Sequence, residues 1–332
     1  MAGSAEPGRA PRRQTRHWPE LLLLLGLIAL ATFPGIASKF YLQHIPTIMI
    51  MAIFAMSLDL LVGFTGQVSF GHAAFFGIGA YALLLTAPDG QAPSLWPSLA
   101  VALAAAATAA LLIGVMVLRS AGVYFIMATL AFSQMLFYYA ARAKWLGGSD
   151  GAYIYGKPGT GIAFFDLADK RQFYYLVLVL MVAVYGLLRV LLRSPFGHAL
   201  RGIKANEPRM RSLGFATFRL KLLSFVIAGT LAGLAGYLDA AQFGVVNPDL
   251  FGWRLSGTVL MMVILGGAGT LYGPVLGAFA LVLLQDFLAD ETKHWLLPMG
   301  LFIIVAVLAL PNGLGGLIAW AGRARRIEAR RA

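Results

Sequence analysis

Apolar residues in this chain neither alternate nor keep to one helical face. They run on continuously for about 17 to 25 residues until a glycine, a proline or a charged cluster interrupts them. Ten such runs are marked, over residues 21–36, 45–62, 69–87, 96–118, 123–141, 173–192, 221–241, 253–271, 272–288 and 295–318. Each predicts a helix that crosses a bilayer, because lipid offers no partner for backbone polar groups and a helix satisfies its own. Lipid-facing strands would alternate apolar and polar residues, and these runs do not. The first and ninth runs are short, and the eighth and ninth are separated only by the glycine-rich break at 266–273. That break leaves room for a re-entrant or broken helix buried in protein.

Composition sharpens the class. Hydrophobic residues make up 59% and charged residues 12% of the 332 positions, far from the balance of a soluble globular chain. The expected fold class is all-α, a polytopic membrane protein of about ten transmembrane helices (eight to ten). The 38 glycines fit helices that pack closely in lipid, where small residues let backbones approach. No cysteine is present, which excludes disulfides and thiolate metal sites. A formal net charge of +12 raises the question of nucleic acid. The basic residues sit beside the apolar runs, however, and no aromatic RNA-binding signature accompanies them, so no nucleic-acid partner is expected.

The basic residues also give an orientation. With both termini in the cytoplasm, the inner segments hold Arg9, Arg12, Arg13 and Arg16, then Arg119, then the cluster from Arg193 to Lys221, and finally Arg323 to Arg331. The outer segments are poorer in Lys and Arg and carry Asp89, Asp249, Asp286, Asp290 and Glu291. An even span number with both ends inside follows. The expected organisation is a basic cytoplasmic tail over 1–20, a transmembrane domain over 21–318 that includes a cytoplasmic loop at 193–220, and a second basic tail over 319–332. An arginine-rich start followed by a leucine run also describes a signal peptide, with Gly35-Ile36-Ala37 as its cleavage candidate. An uncleaved first helix is the favoured expectation.

Polar groups at membrane depth are the candidate chemistry. In DLLVGFTGQVSFGHAAFFGIGAY, residues 59–81, Gly63 and Gly66 permit a sharp turn and Gly71, Gly77 and Gly79 a close approach. Gln67, Ser69, Phe70 and His72 stand among them, and the polar ones must face protein or a water-filled path. Helix packing competes with substrate contact for this segment, and a lone His is more often a hydrogen-bonded structural residue than a proton carrier. A second set at four-residue spacing, Gly229 and Gly233, then Gly269, Gly273 and Gly277, marks helix packing within the subunit or against another. Gly63-Phe64-Thr65-Gly66 with Gly71 bears a faint likeness to Gly267-Ala268-Gly269 with Gly273, which hints at an internal repeat. Asp59 and Asp239 fall near the inner and outer ends of their runs, where water is expected to reach them. His44, His72, His198 and His294 are too scattered for a metal cluster, and no metal site is expected. The segment 142–172 reads as the largest external loop, with Ser149-Asp150-Gly151 as a turn or an Asx cap.

The segment DLLVGFTGQVSFGHAAFFGIGAY closely resembles the signature of branched-chain amino-acid ABC-importer permeases of the LivM type. The likeness continues, in order and spacing, through SPFGHALRGIKANEPRMRSLGF, RLKLLSFVIAGTLAGLAGYLDA and GTVLMMVILGGAGTLYGPVLGAF. It implies a bacterial inner-membrane permease subunit that pairs with a second related permease, sits on two ATP-binding subunits and receives substrate from an extracytoplasmic solute-binding protein. ATP and Mg would belong to the partner subunits and no cofactor to this chain, which has no G-x-x-x-x-G-K-[ST] phosphate loop.

The resemblance also gives the basic loop a role as the ATPase coupling loop, carried by Arg201, Lys204, Asn206, Glu207, Arg209, Arg211 and Gly214. Glu207 and Gly214 match the family pattern, whereas Pro208, Arg209 and Met210 replace small residues. A helix over 208–213 is expected, capped by Asn206 and ended by Gly214. A merely solvated topological loop is the competing reading. Gln67, Ser69, Phe70, Gly71, His72, Gly77, Gly269 and Gly273 are candidates for the translocation path or for helix packing. The cargo implied is leucine, isoleucine or valine, with urea, amides or other amino acids as alternatives within the class. An ion-coupled secondary transporter is an alternative outside it, and no catalytic residues are expected.

Overall fold

The computed structural model describes residues 26–35, 41–87, 92–161, 166–310 and 313–316. The two basic tails, residues 21–25 and 36 of the first run, and most of the candidate signal peptide lie outside the described residues. Residues 26–32 of that run are helical.

Seven helices among the described residues are long and apolar enough to cross a membrane. They include α1 (Tyr41–Asp59), prolonged by a π-turn over Leu60–Thr65. The short α2 (Ala73–Thr86) follows, then α3 (Leu95–Val117) and α4 (Val123–Arg142). After the loop over 143–169 come α5 (Lys170–Arg193), α6 (Pro195–Ala205), α7 (Glu207–Ser212) and α8 (Thr217–Phe243). The chain ends with α9 (Trp253–Gly266), α10 (Gly273–Glu291) and α11 (Leu296–Ala309), the last span continuing to Gly316.

The third and eighth apolar runs depart from expectation. They fold as α2 and α9, each of 14 residues, which at 1.5 Å per residue reach about 21 Å, short of a hydrocarbon core of about 30 Å. The ninth run, expected to be the short one, is the full 19-residue α10. Half-length helices place their ends inside the bilayer, so both must be surrounded by protein. Burial agrees: Phe75, Phe76, Ala80 and Leu83 of α2, and Val259, Met262 and Val263 of α9, have almost no exposed surface.

The core is built around α1 and α8, whose apolar windows are 83% and 72% buried, against 19–33% for α3, α4, α5, α10 and α11. Close backbone approach makes this possible. Gly233 of α8 packs against the Ala106 methyl of α3 and Gly229 against Ala110, while a side chain on Gly79 would overlap the Gly233 carbonyl. The four-residue glycine spacing in α8 thus serves packing within the subunit. Within this core Ser98 and Tyr237 share a hydrogen bond of 2.7 Å.

The loop between α4 and α5 carries a feature the sequence did not suggest. β1 (Ala152–Tyr153) pairs antiparallel with β2 (Val245–Val246), tying the loop after α4 to the end of α8. Ser149 and Asp150 lie in a 3-10 turn over Gly148–Asp150, where the Ser149 hydroxyl donates to Asp150 at 3.2 Å.

Candidate functional site

Two helix breaks meet at one point beneath the basic loop. The first lies at the end of α1, where the π-turn closes on Gly66, whose φ of 76° stops it. The second separates α9 from α10 through Gly267 and Gly269, with φ of 105° and 80°, and Leu271 at φ 26°, the one non-glycine residue with positive φ among those described. Such a backbone is strained for a branched side chain and persists only where its surroundings fix it. The breaks touch backbone to backbone, since a side chain on Gly63 would run into the Gly269 backbone.

Charged side chains satisfy the backbone groups the breaks leave open. Asp59 Oδ1 accepts the Gly269 N–H at 2.7 Å. Lys204, from the last turn of α6, donates its ammonium to the Gly63 carbonyl at 2.7 Å and lays its stem along Gly66. A cation at a helix C-terminus, where carbonyls lack intrahelical partners, is favourably placed. Arg201, also on α6, stands over the Phe64 ring at 5.5 Å. The basic loop is therefore seated directly on the junction of the broken helices. Asp59 and Asp239, expected at water-accessible ends, are instead buried, Asp59 completely. The second carboxylate oxygen of Asp59 has no partner among the described residues.

The loop holds two helices. The expected helix at 208–213 is α7, capped by the Asn206 side chain, which accepts the Arg209 N–H at 3.0 Å, and followed by Gly214 at φ 86°. Sequence reasoning missed α6, whose amphipathic face buries Ala199, Leu200 and Ile203; the pattern PFGHALRGIKA carries that signal at i, i+1 and i+4. Glu207 points back to the membrane domain, accepting from Arg211 at 2.7 Å, Lys221 at 3.0 Å and Thr217 at 3.2 Å. Partial burial opposes its charge, but the hydrogen bonds from Lys221 and Arg211 prevail and hold the carboxyl below its ordinary value. Arg209 and the apolar Leu213 and Phe215 are exposed.

The segment 66–72 forms a bridge in which Ser69, Gly71 and His72 are buried. Phe70 N–H donates to Thr129 Oγ1 of α4 at 3.2 Å, Gly71 lies against the Thr129 carbonyl, and the Ala73 N–H donates to Ser256 of α9 at 2.9 Å. Ser69 is buried and accepts the Gly71 N–H. His72 is fully buried, bonded to Ser57 at 2.9 Å and stacked on Phe54. Gln67 is half-buried beside Thr65, and Gly77 is pressed on the Phe251 ring. Gly273 lies against the Gly266 carbonyl and the Thr270 hydroxyl. These candidates come together as two clusters, Gly269 and Gly273 at the junction and the others along the bridge, and packing accounts for the contacts of the glycines. Thr129, Ser133 and Ser256, which pin the bridge and the turn before α9, were missed because their partners are distant in sequence.

The outward face of α4 is unusual. Its mean hydropathy of 1.4 is well below the 2.4 of α3 and α5, yet only 22% of its window is buried. Met135, Tyr138 and Tyr139 are exposed along it, and the Gln134 amide nitrogen is buried without a partner. Among the described residues no group of three His, Cys, Asp or Glu side chains converges.

Comparison with known proteins accords with this arrangement. Residues 40–310 match the family described as the permease component of the branched-chain amino acid transport system. The high-affinity branched-chain amino acid transport system permease protein LivM of Escherichia coli is 31% identical over 316 residues, 88% of this chain and 74% of the relative. The corresponding permease LivH of Salmonella typhimurium is 29% identical over 42% of this chain and 46% of its own length. The autoinducer 2 import system permease LsrC of Klebsiella pneumoniae is 32% identical over 46% of this chain and 44% of its own length. No solved structure gives a significant match.

Proposed function

The chain belongs to the permease family of branched-chain amino acid transport systems, and from that membership we propose that it moves leucine, isoleucine or valine into the cytoplasm as one subunit of an ATP-driven importer. The observation that carries this is the likeness to LivM over nearly nine-tenths of the chain. In this reading the chain performs no covalent chemistry. Two separate ATP-binding subunits hydrolyse ATP with Mg, and the exposed side of α6 and α7, with Arg209, Leu213 and Phe215, is their docking surface. The distribution of Lys and Arg supports cytoplasmic termini in a bacterial inner membrane.

The second permease subunit packs on α4. This helix is less apolar than α3 and α5 and largely unburied within its own subunit, and its polar groups need protein or water on the free face. Substrate, delivered by an extracytoplasmic binding protein, passes between the paired permeases. Nucleotide binding closes the ATPases and shifts a bistable assembly between outward and inward openings. The likeness to LsrC over 46% of the chain favours, as the second reading, the same mechanism with another small polar solute. Co-purification of the tagged chain from its native membrane tests the assembly. Recovery of a second permease and an ATPase supports the proposal, and recovery of the chain alone in active form refutes it.

A further inference from the structure

The junction beneath the basic loop contains one cation and one carboxylate that are close but not joined. Lys204 spends its ammonium on the Gly63 carbonyl, its charge acts on Asp59, and the second oxygen of Asp59 is buried with no donor. A buried carboxylate oxygen without a partner is costly, and so this arrangement is the incomplete one of a pair. Lys204 is placed to move because it stands on α6, next to the surface proposed for the ATPases, is itself exposed, and has its stem against Gly66, which has no side chain to obstruct it. Asp59 is fixed by the Gly269 N–H, and Gly269 opens the turn that leads through the strained Leu271 into α10.

We propose that Lys204 is a two-position latch that positions the broken helices for transport: in this state it holds the Gly63 carbonyl, and in the alternate state its ammonium pairs with the free oxygen of Asp59. The shift transmits movement of α6 to both breaks at once, since Gly63 ends α1 and Asp59 holds the entry to α10. Discrete arrangements of this kind are what a ligand-driven transition requires. This latch rests on the ATP-driven reading above.

The test measures solute moved per ATP hydrolysed in the complete complex, reconstituted in vesicles. Lys204→Met keeps the stem and removes the charge, and Asp59→Asn keeps an oxygen for Gly269 and removes the charge. Each is expected to assemble with its partners and to lower the ratio about tenfold or more. Lys204→Arg restores most of it, and the double variant is no worse than Lys204→Met alone, because that variant has already lost the pairing with Asp59. Independent, multiplying losses would overturn the latch, as would a Lys204→Met complex that couples normally or fails to assemble. Failure of the wild-type chain to couple to any ATPase would instead sink the transport reading itself.

Discussion

Glu207 and Lys221 lie 3.0 Å apart, joining the first turn of the short loop helix to the first turns of α8, the longest helix among the described residues. The pair makes α7 part of the membrane domain, with Arg211 and Thr217 on the same carboxylate. Whatever docks on the loop, the geometry gives Glu207 the task of fixing α7 to the membrane domain.

That task carries a pH dependence. The carboxyl of Glu207 is held below its ordinary value in the folded state, so its contribution is fully present above the unfolded value of about 4.3. The contribution is lost as pH falls through the depressed folded value. Amide exchange of residues 207–213 is therefore expected to be slow and flat at neutral pH, after correction for intrinsic exchange, and to accelerate only in acid. Glu207→Gln is expected to show fast exchange already at neutral pH. Equal protection in the variant and the wild type at neutral pH would show that the Lys221 pair does not anchor α7.

Close helix contact at α8 predicts a contrast between glycines. A side chain on Gly236 would overlap the Phe76 carbonyl, while one on Gly186 of α5 meets nothing within 4 Å. Gly236→Ala is expected to cost about 1–3 kcal/mol or more. Gly186→Ala should be neutral or stabilise by up to about 1 kcal/mol, since helix interiors favour Ala. Thermal unfolding in detergent separates the two, and similar melting points would contradict the packing described.

The face of α4 predicts a labelling pattern, made simple by a chain without cysteine. Single cysteines at Met135 or Tyr138 are expected to react with water-soluble thiol reagents or to cross-link to the second permease. Cysteines at Leu112 or Met116, equally exposed on the more apolar α3, should face lipid and react only with lipid-soluble reagents. Indistinguishable labelling of the two faces would remove α4 from the subunit interface.

Much of this was legible in the sequence because it depends on local pattern. Apolar runs located the helices, and Asn206, Pro208 and Gly214 marked α7 to within a residue at each end. Run length alone did not reveal that α2 and α9 are too short to span, since few charged residues mark the segments 66–72 and 267–272 where the chain leaves the helix. The faint likeness of Gly63-Phe64-Thr65-Gly66 to Gly267-Ala268-Gly269 hinted only at an internal repeat and not at the contact between Gly63 and Gly269. The Asp59 to Gly269 bond spans 210 positions and the Lys204 to Gly63 bond spans 141. Pairings at such separation leave no trace in spacing or composition, and β1 with β2 is a third example.

The most direct measurement is uptake of labelled leucine by vesicles containing the chain with its second permease, ATPases and binding protein. Uptake that requires ATP and the binding protein, and that isoleucine and valine inhibit by competition, is the predicted result. Leucine uptake by the chain alone, driven by an ion gradient and indifferent to ATP, would contradict the account.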